Sequence, residues 1–366
     1  MRRTTLAAVA IVGLAGCASP GMPPGGPVDT EAPKIVKIAP DSGNTGVTPR
    51  EVIFRFDEVV NERPSGAQSL EALVLVSPRD GEPRVDWHRD EISVRPRRGW
   101  RPNTAYTITL LPGLSDLRGN VRNTPVVTMF ATGETLPASR ITGTFFNWPE
   151  GRAIARGLIE ARPRTDTSLA YVTTTDSIGD FVMSNLPTGP YLVRGISDDN
   201  NNRSLDPREL WDSATIDLAD SANVRLYGFV HDSTGSRLQG VALRDSVTIE
   251  LVFDNPLSLS PPLGAANIRV RASDSTDVPI VSVSPPPADT TAAGRRIQRP
   301  SPPRTIIVRV GRPLRPGTQY RVSVTDARNL TGVARNSDRV LVVPVPSTTP
   351  PPVAPPAAPP PSPIRR

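Results

Sequence analysis

Forty-three of the 366 residues are proline, spread along the whole chain and crowded at its end. Proline fixes φ and carries no N–H, which excludes it from helix interiors and from central strands. At more than twice its ordinary usage of ~5%, it leaves only short regular segments. What stands between the prolines is a series of brief β-rich runs bounded by turn formers, the pattern of antiparallel sandwiches. The fold class expected is therefore all-β. The single cysteine forbids any disulfide within the monomer, so each unit must rest on its own packed core. At ~100–200 residues per domain, 366 residues less a short leader allow two or three domains.

Residues 34–133 form the first expected domain. Its β-rich runs cover residues 34–38, 51–56, 72–76, 91–95, 105–110 and 126–131, separated by Asp41-Ser42-Gly43-Asn44, Arg79-Asp80-Gly81 and Arg118-Gly119-Asn120. In Val52-Ile53-Phe54-Arg55-Phe56 the arginine between apolar neighbours implies period two, with Phe54 and Phe56 facing the core. Ile53-Phe54-Arg55-Phe56-Asp57-Glu58, Arg101-Pro102-x-Thr104-x-Tyr106, Asp116-x-x-Gly119-Asn120 and Phe130-Ala131-Thr132 follow in order. This series resembles the bacterial Ig-like domains of S-layer proteins (the SbsA type), with Trp100 where that family usually has leucine. The resemblance implies a β-sandwich in which Asp57-Glu58 belongs to the fold.

Residues 140–226 form a second unit. Ile141-Thr142-Gly143-Thr144-Phe145 opens it, and Gly179-Asp180-Phe181 precedes Leu186-Pro187-x-Gly189-x-Tyr191. These motifs resemble the carboxypeptidase regulatory-like (transthyretin-like) sandwich, which implies a fold and no peptidase. Residues 227–345 repeat the first domain: Val94-Arg95 and Arg101-Pro102-x-Thr104-x-Tyr106 recur as Val308-Arg309 and Arg315-Pro316-x-Thr318-x-Tyr320. This second, divergent Ig-like domain carries a Pro/Ser/Thr-rich insertion, 285–303, expected to be disordered. Its Asp-x-x-Gly-Asn turn is reduced to Asn329-x-x-Gly332-Val333. The Pro-rich tail, 346–366, in polyproline II conformation, is expected to be a solvated tail with no specific role, the alternatives being a spacer, a wall-penetrating arm or a partner's ligand.

The first three residues, Met1-Arg2-Arg3, are basic, and an uncharged apolar run leads to Leu14-Ala15-Gly16-Cys17. A basic start, a short apolar stretch and small residues before a cut site make a secretory signal peptide over residues 1–16. The apolar run is about half the ~20 residues a spanning helix needs. Leu-Ala-Gly-Cys resembles the bacterial lipobox, which makes Cys17 the lipidation site and residues 17–33, rich in Gly and Pro, a tether. Ala18 and Ser19 are not acidic, which by the same resemblance points to the outer membrane, on its periplasmic face or at the cell surface. The membrane is then the first partner, and an envelope protein or polysaccharide the second.

The formal charge of +6 falls to +4 without the leader, and almost every base is arginine, alternating with Asp and Glu. A nucleic-acid reader needs a basic face, so no nucleic-acid partner is expected. The Arg-rich stretch from Arg95 to Arg101 is the best candidate for an anionic contact. No His-Glu-x-x-His, nucleophile elbow or phosphate-cradling loop occurs, and His88 and His231 fall in different units, so no catalytic residues are assigned.

The sharpest constellation is the segment 198–209. With Asp198 as position 1, Asn200, Asn202, Ser204 and Asp206 fall at positions 3, 5, 7 and 9 and Glu209 at 12. This is the ligand spacing of an EF-hand loop, in which alternate oxygens wrap one Ca²⁺. Arg203 stands at position 6 in place of the usual glycine, and no flanking helices are evident. A plain Asx-turn loop is the alternative. Ca²⁺ is the one candidate cofactor. The expectation is a non-catalytic, lipid-anchored envelope protein with a structural or adhesive role. The alternative is a calcium-dependent module that binds carbohydrate or cell-wall polymer, for which an exposed row of aromatics would speak.

Overall fold

The computed structural model describes residues 28–287 and 299–345. The leader 1–16, Cys17, most of the 17–33 tether, residues 288–298 of the insertion and the 346–366 tail lie outside the described residues. The chain is nearly all β.

Residues 35–131 contribute β1 (Ile35–Ala39), β2 (Val52–Phe56), the one-turn helix α1 (Leu70–Leu73), β3 (Val74–Ser77), β4 (Arg84–Trp87), β5 (Glu91–Arg95), β6 (Ala105–Leu110) and β7 (Val126–Ala131). They form two antiparallel sheets, β1-β2-β5-β4 and β3-β6-β7. Period two in β2 buries Val52, Phe54 and Phe56 and leaves Arg55 outside, where it pairs with Glu91 at 2.7 Å. The inner faces meet in a core of Phe54, Ile92, Val74, Tyr106, Ile108 and Phe130. Each such side chain contributes roughly 1.5–3 kcal/mol on burial.

Two local readings change. Residues 72–76 are not one strand: the Ser69 hydroxyl accepts the Ala72 N–H at 3.3 Å and caps a helical turn, so the strand begins at Val74. The strand β4 was not anticipated: Arg84-Val85-Asp86-Trp87 alternates polar and apolar, but over only four residues.

The middle region holds β8 (Ser139–Asn147), β9 (Arg152–Ala153), β10 (Leu158–Pro163), β11 (Tyr171–Thr174), β12 (Asp180–Leu186), β13 (Gly189–Ile196), β14 (Leu210–Leu218) and β15 (Ser221–Val230). They are hydrogen-bonded into one eight-stranded sheet, β11-β10-β13-β14-β15-β8-β12, with β9 on β8. Its halves are joined only where Leu210 and Trp211 of β14 pair with Val230 and Phe229 of β15. The sheet folds over at that seam, so Phe145 and Phe181 of one half pack with Ile159, Tyr191 and Val193 of the other. The β8–β15 ladder is parallel; the others are antiparallel.

The last region holds β16 (Leu238–Asp245), β17 (Thr248–Phe253), β18 (Ile268–Ala272), β19 (Asp277–Val278), β20 (Ile280–Ser284), β21 (Thr305–Val310), β22 (Gln319–Arg328) and β23 (Ala334–Val342). Two four-stranded sheets, β16-β17-β21-β20 and β19-β18-β22-β23, close over Leu251, Phe253, Val308, Val322 and Val324. The insertion 285–303 connects β20 to β21. Its last residues, 299–303, are held in place. The Trp148 indole N–H donates to the Pro300 carbonyl at 2.8 Å, and the Arg299 guanidinium lies 3.7 Å over the Trp148 ring.

A separate apolar cluster spans the first and middle regions. Leu75 of β3 points away from its own core and packs on Leu158, Ala170, Val172 and Ile196. Beside it the Arg79 N–H donates to the Ala170 carbonyl at 2.7 Å and the Val172 N–H to the Ser77 hydroxyl at 2.9 Å. Edge strand β3 is thereby covered rather than left open to association.

Candidate functional site

The loop 198–209 connects β13 to β14. Its backbone turns at Asp198 (φ +43°), Asn201 (φ +56°) and Arg203 (φ +56°). Arg203 thus adopts the left-handed turn for which an EF-hand loop uses glycine at position 6. The structure explains why arginine stands there. Its guanidinium leaves the loop and donates to the carbonyls of Glu71 and Ala72 at 3.1 and 2.9 Å, bolting the loop to the end of α1.

Five of the six candidate ligands are brought into one network. The Asp206 carboxylate accepts from the side-chain amides of Asn200 at 2.7 Å and Asn202 at 2.9 Å. Glu209 reaches back across the loop, one oxygen accepting the Asp199 N–H at 3.0 Å and the other the Asp206 N–H at 2.9 Å. Ser204 joins through its N–H, which donates to the Asn202 side-chain oxygen at 2.8 Å, while its hydroxyl turns to the Asn202 carbonyl at 3.5 Å. Asp198 is the exception, its carboxylate accepting the Arg203 N–H at 3.0 Å. Burial pushes the Asp198 carboxyl up, against hydrogen bonds from the Arg203 and Asn202 backbone. Burial also raises Glu209, with the Asp198 and Asp206 charges adding to it. The oxygen-only donor set suits a hard cation. Filling it requires the two asparagine amides to turn, so that oxygens rather than N–H groups face Asp206.

A second acidic cluster was not anticipated. Asp29, Glu58 and Asp116 bring carboxylate oxygens within 4.8 Å of one another, the one such trio of Asp, Glu, His or Cys among the described residues. In the sequence Asp29 falls in the tether, Glu58 in the Asp57-Glu58 pair and Asp116 in the Asp-x-x-Gly-Asn turn, and no spacing joins them. The end of the tether is in fact fastened to the first region: Asn120 donates to the Asp29 carbonyl at 3.2 Å and Arg122 to the Pro33 carbonyl at 3.2 Å. Burial and the Asp116 and Asp29 charges raise Glu58. Asp116 is buried too, yet hydrogen bonds from Asn120 and from the Arg118 and Gly119 backbone hold it below the usual carboxylate range.

Asp116 also anchors a turn that recurs. Its Oδ1 accepts the N–H groups of Arg118 and Asn120 at 2.9 and 2.8 Å. Asn329 does the same for Thr331 and Val333, at 3.0 and 2.9 Å, so the degraded motif keeps the geometry because an amide oxygen accepts as a carboxylate does. Tyr106 and Tyr320 close matching corners, each hydroxyl accepting the N–H five residues upstream, from Arg101 at 2.8 Å and Arg315 at 2.9 Å. Residues 29–132 match the bacterial Ig-like domain family. The match begins at residue 29, where Asp29 makes its contacts with the first region.

No curated protein matches the chain. Among solved structures, the N-terminal part of the S-layer protein SbsC is 15% identical, covers 31% of this chain and has a TM-score of 0.23. The chain spans 25% of that structure's length. A putative carbohydrate-binding protein from Bacteroides uniformis is 11% identical, with 57% of this chain and all of that one covered and a TM-score of 0.19. BcpA, the major pilin subunit of Bacillus cereus, is 9% identical, with 54% and 70% covered and a TM-score of 0.20. Likenesses this loose say nothing about function.

The aromatic side chains are occupied with packing. Within the Ig-like domain, Trp100 meets Tyr106 and Phe130 edge-on at 4.8 and 5.0 Å, and the Trp87 indole donates to the Val60 carbonyl at 2.9 Å. Trp148 is buried, and Trp211 stacks on His231 at 3.7 Å. His231 is stacked on its other side by Phe229 at 4.1 Å. His88 opens the β4–β5 turn, its N–H donating to the Glu91 carbonyl at 2.8 Å, and does not lie on a strand face.

Proposed function

We propose that the chain is a non-catalytic envelope protein, held to the outer membrane by lipid on Cys17, with a structural or adhesive role exercised through its β-sandwich units. The observation that carries the reading is the apolar docking of the Ig-like domain on the middle region through Leu75, joined by the bolt of Arg203 on α1. Two units fixed to one another in this way present a continuous surface and transmit load, which suits a scaffold. Asp57, the first of the paired carboxylates, supports this role, accepting the Lys34 N–H at 2.8 Å as part of the fold. Acyl chains contribute ~0.8 kcal/mol per buried CH₂, so a multiply acylated Cys17 holds firmly. Metabolic palmitate labelling with membrane fractionation tests the anchor. Wild type takes label and sediments with membranes; Cys17→Ala takes none and is released. An unlabelled, freely soluble wild type removes the anchoring part of the reading.

A second reading places Ca²⁺ in the loop 198–209, favoured by the left-handed Arg203 and by the linking of Asn200, Asn202, Ser204, Asp206 and Glu209. Cation binding to the folded state alone stabilises by about 2.7 kcal/mol at a hundredfold excess over Kd. At roughly 2–4 °C per kcal/mol, the melting temperature in Ca²⁺ should exceed that in chelator by about 5–10 °C, and Asp206→Ala should abolish the gain. Identical melting in calcium and in chelator rules the site out. A calcium-dependent saccharide binder built on an open aromatic platform is less favoured, because the four tryptophans pack against their own chain.

A further inference from the structure

Beside the Leu75 contact a cleft of about 380 Å³ opens between the Ig-like domain and the middle region, within the range of ~300–1,000 Å³ usual for small-molecule sites. Its wall carries five arginines, Arg79, Arg98, Arg162, Arg194 and Arg203, and two acids, Asp80 and Glu160. Three of the arginines are engaged. Arg203 is bound to the carbonyls of α1, and Arg79 donates to the Arg203 carbonyl and lies 3.9 Å from Glu160. Arg162 spans both Glu160 oxygens at 3.3 Å. Arg98 and Arg194 are different. Among the described residues the Arg98 guanidinium has no hydrogen bond or ion pair, only its backbone N–H being used, on Asp80. The Arg194 Nε is buried without a partner, and its guanidinium carbon stands 5.8 Å from the Trp211 ring. That Nε is closed off from the cleft, so what Arg194 offers a ligand is the outer end of its guanidinium, which lines the wall.

We propose that this cleft binds a saccharide unit carrying an oxyanion, a carboxylate or a phosphate, through Arg98 and Arg194. Guanidinium groups match both oxyanions with paired N–H donors. A saccharide suits the remaining wall better than a bare anion. Asp80 and Glu160 accept from sugar hydroxyls, Ser168 and Ser204 supply hydroxyls, and Ala170, Ile196 and Leu205 form an apolar floor for a ring face. The lining includes no aromatic ring on which a nucleobase could stack. The site goes beyond the scaffold reading and does not depend on the anchor, since both walls belong to the folded units.

Calorimetric titration of the full chain with a galacturonic acid trimer, glucose 6-phosphate and neutral maltotriose tests this. The expected result is saturable binding of one or both acidic probes, none of maltotriose, and affinity at least tenfold weaker in Arg98→Gln. Binding of only the uronate identifies a carboxylate-bearing sugar as the ligand, and binding of only the sugar phosphate a phosphate-bearing one. Arg98→Lys, which keeps the charge but not the fork, should be intermediate. Arg194→Gln is read only if its thermal melt shows a folded chain; Arg98, on the rim, tests the site without that condition. Failure of both acidic probes to bind folded wild type, or equal binding by Arg98→Gln, overturns the proposal.

Discussion

Replacing Gly143 by valine is expected to unfold the middle region at temperatures where the wild type is native. Gly143 sits in β8 between two neighbours, Phe181 of β12 on one side and Val224 of β15 on the other. A Cβ built there would lie 2.1 Å from the Val224 carbonyl oxygen and 2.6 Å from the tip of the Phe181 ring. The ring could turn, but the carbonyl is backbone in a parallel ladder and cannot retreat without breaking it. Overpacking of a core commonly costs about 1–3 kcal/mol. With backbone as the obstacle, Gly143→Val should exceed this range, and Gly143→Ala should fall at its upper end. Gly240→Ala provides the control, its nearest atom being the Val252 Cβ at 3.9 Å, with an effect within about 0.5 kcal/mol. Calorimetric melts of the three variants decide it; equal melting of Gly143→Ala and Gly240→Ala would mean the ladder can open.

Leu75→Asp should separate the Ig-like domain from the middle region while leaving each folded. Leu75 is only 2% exposed, yet the atoms that cover it belong to Leu158, Ala170, Val172 and Ile196 of the other unit. Truncation to alanine removes about 2–5 kcal/mol of packing, and aspartate adds an unpaired buried charge. The domain's own core is faced by Val74 and Val76, which the change leaves in place. The measurable result is a larger radius of gyration in X-ray scattering and one melting transition resolved into two. Unchanged scattering and a single wild-type transition in Leu75→Asp would show that the hydrogen bonds of Arg79, Ser77 and Arg203 suffice without the apolar contact. The same variant would open the arginine cleft, so loss of acidic-sugar binding in it would follow from separation rather than from the ligand contacts themselves.

Much of the Ig-like domain was legible because its signals are local. Period two in Val52–Phe56, the Asp116-x-x-Gly119-Asn120 turn and the Arg101-to-Tyr106 corner each place their partners within a few residues, and a hydrogen bond between near neighbours is written into spacing. The corner closed by Tyr320 on the Arg315 N–H was traceable for the same reason. The helical turn at Leu70–Leu73 was missed although its cap was visible, since Ser69 followed by an acidic first turn outweighs a short apolar run. The middle region showed its motifs but not its connectivity: nothing in Leu210 and Trp211 announces that they alone join two half-sheets.

The candidate site divides along the same line. The spacing of Asp198, Asn200, Asn202, Asp206 and Glu209 was readable, because a loop's donors are close in sequence. The reason for Arg203 was not, because its partners, the carbonyls of Glu71 and Ala72, belong to another unit. The acidic trio of Asp29, Glu58 and Asp116 and the arginine cleft were equally hidden, each assembled from segments remote in sequence. By itself the sequence determined that this chain builds short-stranded β units around alternating apolar faces, since proline and residue alternation act through neighbouring backbone. Only the tertiary structure decided which faces meet, which glycines lie against backbone and where the arginines of two units gather. Those depend on atoms that approach through space, and an amino-acid order does not state that approach.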